Sequence, residues 1–239
     1  MDRAYVAVHM EEDRAHWWFR GRRAVLVALL RRRLPPGRHR LLELGCGTGN
    51  MLEALAAFGE TVGMEPDETL VAAARGAGLD VRRGALPHDR VVPAGWPDVV
   101  LFLDVLEHLD DDAAALRTAH ALLSPGGTLV IAVPAYQWLW SAHDVALGHR
   151  RRYTAGALRA RVTAAGFDVR HVSYFNTLLF PAVALTRAGK RLRGDSGHDL
   201  ARPAAPVNAV LARLFALEAV VVPRWPLPFG ASLVLVAGR

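Results

Sequence analysis

Leu41-Leu42-Glu43-Leu44-Gly45-Cys46-Gly47-Thr48-Gly49-Asn50 carries the fold assignment. Leu41–Leu44 reads as a short buried strand, and the segment after the glycines, Thr48–Phe58, reads as a helix. Between them lie three glycines at alternate positions, a spacing that lets backbone approach a ligand where side chains would intrude. A strand that turns through glycines into a helix is the opening unit of an open α/β sheet.

Outward from this turn the pattern repeats. Further strands are expected at Thr61–Glu65, Val81–Arg83, Asp98–Leu103 and Thr128–Val133, alternating with helices at Asp67–Ala77 and Asp112–Leu123. Val99-Val100-Leu101-Phe102-Leu103 and Leu129-Val130-Ile131-Ala132-Val133 are continuous apolar runs, as parallel strands covered on both faces require. Upstream, Asp13–Leu34 suits an amphipathic helix that stops at Leu34-Pro35-Pro36-Gly37. Downstream come a helix Thr154–Ala165, a strand Phe167–Tyr174, apolar helices Leu178–Arg191 and Pro206–Val222 joined by a polar link from Arg193 to Pro203, and a last strand Ala231–Val236.

The ligand follows from a second element. Glu65 ends the next strand, 20 residues after Gly45, where a carboxylate can accept hydrogen bonds from both hydroxyls of a ribose. An adenosine-bearing cofactor is expected. The dinucleotide fingerprint has a third glycine where Asn50 stands, and Glu43 sets an anion near any diphosphate. The loop therefore suits a cationic sulfonium with an amino-acid tail better than NAD.

With Gly63-Met64-Glu65-Pro66, Asp98-Val99-Val100 leading to Leu103-Asp104-Val105-Leu106-Glu107-His108-Leu109, and Leu123-Ser124-Pro125-Gly126-Gly127-Thr128-Leu129, the chain resembles the class I S-adenosylmethionine-dependent methyltransferases over Glu12 to Phe175. The resemblance implies a Rossmann-like seven-stranded sheet whose last strand inserts antiparallel between the fifth and sixth. It implies one methyltransferase domain over 1–239, divided into an N-terminal cap (1–37), a cofactor-binding core (38–175), a helical insert (176–230) and the last strand (231–237). Gly45, Cys46, Gly47 and Gly49 would surround the methionine moiety of S-adenosyl-L-methionine, and Glu65 followed by Pro66 would hold the ribose. Asp104 and Val105 would border the sulfonium. Relatives often have an acidic residue after the glycine that follows strand three; here Ala85 follows Gly84, so adenine recognition falls to backbone at Ala85 and Leu86.

Two aromatic segments bear on the acceptor. His16-Trp17-Trp18-Phe19 precedes the first strand, where such enzymes place a cap; Trp17 and Trp18 either line the acceptor site or anchor their helix. The segment after the fifth strand contains Tyr136, Trp138, Trp140, His143 and Asp144, then Gly148-His149-Arg150-Arg151-Arg152-Tyr153-Thr154. It looks like the active-site lid of a methyltransferase subgroup with His-Trp-Trp-Phe and Trp-Ser-x-His-Asp signatures, and implies Tyr136, Trp140, His143 and Tyr153 as acceptor contacts. If the acceptor must lose a proton, His108, His143 and His149 are candidate bases. Asp104-x-x-Glu107-His108, with His149 as a fourth ligand, resembles a Glu-x-x-Glu-His metal site, but Asp is one methylene shorter and no divalent metal is expected.

The rest bounds partners. The net charge is +6 and Lys190 is the single lysine, so arginine carries the charge, a codon-bias pattern that names no ligand; no nucleic-acid partner is expected. One cysteine, Cys46, excludes an intrachain disulfide, and the apolar runs are too short for a bilayer span, so a cytoplasmic location is expected. In the last helices Arg187, Lys190, Arg191, Arg193, Arg202 and Arg213 lie beside Phe180, Leu185, Leu211, Leu214 and Phe215. That pattern suits contact with a membrane surface or a lipid-linked anionic acceptor, or packing against the sheet or a second copy. The expected activity is methyl transfer to a small-molecule or lipid-like acceptor. A nucleotide-dependent oxidoreductase and a non-catalytic binding module are the alternatives.

Overall fold

A computed structural model describes residues 12–193 and 202–239; the side chains of Lys190, Arg191 and Arg193 and most of the expected link, residues 194–201, lie outside the described part. The elements run α1 (Trp17–Arg33), β1 (His39–Leu44), α2 (Asn50–Leu55), β2 (Gly59–Glu65), α3 (Glu68–Gly76), β3 (Val81–Arg83), β4 (Val99–Leu103), α4 (Asp112–Leu122), β5 (Thr128–Pro134), α5 (Ala142–Leu147), α6 (Ala155–Ala164), β6 (Asp168–Phe175), α7 (Phe180–Arg193), α8 (Ala205–Ala216), α9 (Glu218–Val221) and β7 (Ser232–Gly238). The seven strands form one sheet in the order β3-β2-β1-β4-β5-β7-β6. This is the Rossmann-like α/β architecture expected, with β1 through β5 paired in parallel.

The last strand sits where expected. The Arg239 N–H donates to Gly127 O at the start of β5, and the Ala135 N–H donates to Ala231 O at its end, so β7 runs antiparallel to β5. The apolar runs of β4, β5 and β7 are buried along their whole length.

The chain divides into two compact units, one of residues 34–133, 155–172 and 234–239 and one of 1–33, 134–154 and 173–233. Within the first, Asp98 ties β1 to β4: Arg40 N, Nε and Nη2 donate to its carboxylate at 2.9, 3.2 and 2.8 Å, and Ser124 Oγ lies 3.2 Å from it. The Arg40 hydrogen bond, outweighing burial, holds the Asp98 carboxyl below its ordinary value. Asp67 caps α3 by accepting from the N–H groups of Thr69 and Leu70.

Within the second unit α1 packs on α8. A methyl group on Gly21 would lie 2.4 Å from the Phe215 ring, so glycine permits the approach. Helix α1 begins at Trp17 instead of the expected Asp13, because Asn208 of α8 accepts from the Trp17 N–H and donates to Ala15 O, fixing the chain before the first turn.

Candidate active site

The glycine turn is built as its sequence requires. Gly45, Gly47 and Gly49 have φ of 71°, 56° and 80°, left-handed values that favour glycine. A Cβ on Gly45 would meet Val105 Cγ2 at 2.6 Å and one on Gly49 would meet Leu79 at 2.4 Å, whereas around Gly47 there is open space. The N–H groups of Gly45 and Cys46 both donate to Met64 O, so the turn is held against the end of β2. Cys46 is buried with its sulfur against Gly63, where a Cβ would lie 2.5 Å from Sγ. Burial, with Glu43 and Glu65 nearby, pushes its thiol far up, which makes it a filler and not a nucleophile.

Glu65 connects β2 to this turn. Its Oε2 accepts from the Gly47 N–H at 3.0 Å and its Oε1 from the Asp67 N–H at 3.1 Å. Burial raises its pKa, opposed by those two N–H groups. A carboxylate offers about four acceptor positions. Two therefore face inward to the backbone N–H groups of Gly47 and Asp67, and the carboxylate keeps acceptor capacity beyond them. The open space at Gly47 and the fixed carboxylate fit the adenosine-bearing cofactor expected.

After β3, Ala85 is exposed and its N–H donates to Asp89 Oδ2 at 2.8 Å. Asp89 thus brings to this turn the carboxylate missing at position 85, four residues on, a contact that sequence spacing alone did not reveal. At the end of β4, Asp104 has φ of 60° and donates its N–H to Ala132 O, with Val105 beside it half-buried. Glu107 is fully buried and His108 half-buried in a short 3-10 turn, Leu106–His108.

The 134–154 segment, expected as a lid, contains α5. Ser141 and Asp144 form a capping box at its start. Asp144, fully buried, is the hub: Arg152 Nε and Nη2 donate to it at 2.7 and 3.0 Å, the Ser141 N–H at 2.9 Å, and His149 Nδ1 lies 2.8 Å away. Arg187 of α7 reaches it at 3.9 Å and donates to Leu139 O at 2.8 Å. Burial alone would raise the Asp144 carboxyl, but the His149 bond and Arg152 hold it far below the usual range.

Tyr136, with φ of 58°, is a strained position for a bulky residue and stacks on Tyr174 at 5.0 Å. Burial and the neighbouring Tyr174 raise its phenol pKa. Trp138 and Phe180 complete this aromatic group, at 5.7 and 5.9 Å from the Tyr136 ring. Trp140 and His143 are half-buried in the same segment. Three expected acceptor contacts are engaged in packing: Tyr153, Trp17 and Trp18. Tyr153 is 2 % exposed and its backbone pairs with Pro134 and Tyr136. Trp17 packs on Phe215 at 6.1 Å, and Trp18 lies against Phe19 and under the Arg22 guanidinium, so the tryptophan pair anchors α1.

A methyltransferase-domain family model matches residues 16–172. A probable S-adenosylmethionine-dependent methyltransferase of Mycolicibacterium smegmatis is 33% identical over 159 residues, 64% of this chain and 60% of that protein. The ubiquinone biosynthesis O-methyltransferase of Methylobacterium nodulans is 41% identical over 103 residues, 41% of each chain. The chain thus spans about 60% or less of the length of these curated relatives. The structure of an S-adenosylmethionine-dependent methyltransferase from Archaeoglobus fulgidus aligns over the whole of both chains with a TM-score of 0.59 at 21% identity, a likeness of fold. Family match, sheet order and glycine turn agree: the chain belongs to the class I S-adenosylmethionine-dependent methyltransferases.

Proposed function

We propose that the protein transfers the methyl group of S-adenosyl-L-methionine to a small-molecule or lipid-like acceptor that carries an ionisable hydroxyl. The observation that carries the reading is the Glu65 carboxylate, buried and fixed on the Gly47 N–H, with acceptor capacity for a ribose. The glycine turn would hold the methionine end, Glu65 the ribose, and backbone at Leu86 the adenine, since the expected contact at Ala85 is taken by Asp89, which binds both its N–H and its carbonyl. When bound, that cofactor supplies an electrophilic methyl group on a sulfonium that needs no further activation, so the protein's task is alignment.

For a hydroxyl acceptor a proton must also leave. His149 is the residue we assign to it. Its Nδ1 lies 2.8 Å from the Asp144 carboxylate, a contact that fixes the orientation of the ring. The aromatic group of Tyr136, Tyr174 and Phe180 supports an apolar acceptor, and the O-methyltransferase name of the Methylobacterium relative agrees with a hydroxyl.

Incubation with methyl-labelled cofactor and fractionated cell extract should place label on a small molecule. With that acceptor, His149→Gln should lower kcat by roughly 100-fold, in line with general-base contributions, and leave S-adenosyl-L-homocysteine affinity unchanged. His143→Gln serves as the comparison. Equal turnover in both variants and wild type would leave alignment as the whole mechanism.

A further inference from the structure

We propose that the unit of residues 1–33, 134–154 and 173–233 docks on an anionic lipid surface through the outer face of α8 and α9. Two independent features of the described residues meet on this unit. Every exposed large apolar side chain lies on it, and none lies on the other unit. Its four described carboxylates, Glu12, Asp13, Asp144 and Glu218, are all buried, while Arg14, Arg20, Arg31, Arg32, Arg150, Arg202, Arg213 and Arg224 are exposed. Among the described residues, the exposed formal charges of this unit are therefore all positive.

The apolar face is a helical stripe. Leu217 keeps helical backbone between α8 and α9, with φ of −59° and ψ of −30°, so the helix runs on from 205 to 221. Val207, Val210, Leu214, Leu217 and Val220 recur every three or four residues and are exposed, Leu217 by 58%. Asn208, Ala212, Phe215 and Glu218 occupy the opposite, buried side. Arg213 falls on the exposed side, and Arg224 and Trp225, 62% exposed, follow the helix. Glu218 accepts from the N–H groups of Thr177 and Leu178, and Thr177 Oγ1 donates to Phe229 O, which ties the segments carrying exposed Leu178 and Phe229 to the same helix.

Valine and leucine on one side with arginine at the rim and tryptophan at the end are the chemistry of a helix lying in a lipid interface. The helix is about 25 Å long, from its rise per residue, and would lie along the surface. None of the helices searched among the described residues is long and apolar enough to cross a membrane. Anionic headgroups complement the exposed arginines. A second copy does not: a symmetric interface would set arginine against arginine with no described carboxylate of this unit exposed to pair with them. The inference is independent of the methyl-transfer reading.

The test is co-sedimentation of the full chain with vesicles of phosphatidylcholine alone or of equal parts phosphatidylcholine and phosphatidylglycerol. Partitioning should be at least about ten-fold greater on the anionic vesicles and should weaken with added salt. The double variant Val210→Glu, Leu217→Glu, both on exposed positions, should lose at least about ten-fold of that partitioning while keeping its circular dichroism and S-adenosyl-L-homocysteine affinity. Indifference of the wild type to lipid charge would overturn the proposal without recourse to any variant. So would concentration-dependent dimers in sedimentation velocity, abolished by the double variant, with no vesicle binding.

Discussion

Asp144→Ala is expected to lower the midpoint of thermal unfolding by on the order of 10 °C, from a loss of about 3–5 kcal/mol. The carboxylate is fully buried and takes two hydrogen bonds from Arg152, whose guanidinium otherwise reaches only the carbonyl of Ala135. Removing it leaves that guanidinium buried without its counter-charge, unties His149 and opens the cap of α5. The same group sets an acid limit. Its folded-state pKa lies below the unfolded value of about 3.9, so its stabilisation is complete above that pH and is lost as pH falls below it. Differential scanning calorimetry of wild type and variant between neutral pH and pH 3 measures both. The gap between the two should narrow at the acid end; a variant melting within about 1 °C of wild type at neutral pH would show that the hub does not hold the segment.

Glu65→Ala should weaken S-adenosyl-L-homocysteine binding by roughly ten- to a hundred-fold, the effect of losing hydrogen bonds of about 1.5–3 kcal/mol to a charged acceptor. The side chain accepts from the Gly47 N–H that shapes the turn and, in the proposed site, would also hold the ribose. Burial raises its pKa, so the folded protein keeps this charge at some cost to stability, as expected of a group placed for a ligand. Without ligand the variant should therefore melt close to wild type. Isothermal calorimetry and a melt of the free protein separate the two effects, and unchanged affinity would remove Glu65 from the cofactor site.

The sheet was legible because parallel strands buried on both faces are unmixed apolar runs, and because glycines at 45, 47 and 49 admit few other turns. Helix α5 was missed although Ser141 and Asp144 stand at capping-box spacing; the aromatics and arginines around them read as loop. The phase of α8 is not legible in the sequence: Leu211, Leu214 and Phe215 read alike as suited to a membrane surface or to packing, and the structure buries Phe215 fully, stacked near Phe175. Both faces of that helix carry apolar residues, and the polar ones that usually mark the solvent side, Asn208 and Glu218, face inward to satisfy backbone at Ala15, Trp17, Thr177 and Leu178. Periodicity cannot orient a helix whose polar residues serve distant backbone, 191 positions away for Asn208 and 41 for Glu218. Asp89 escaped notice for a related reason, since a carboxylate four residues along a loop reaches Ala85 only once the loop has folded back.

The central claim is that Gly45 to Gly49 and Glu65 form a site for an S-adenosylmethionine-type cofactor. The most direct measurement titrates the purified protein by isothermal calorimetry with S-adenosyl-L-homocysteine and, separately, with NAD. Saturable one-to-one binding of the first and none of the second at the same concentrations is the predicted result; binding of NAD with no heat from S-adenosyl-L-homocysteine would contradict it.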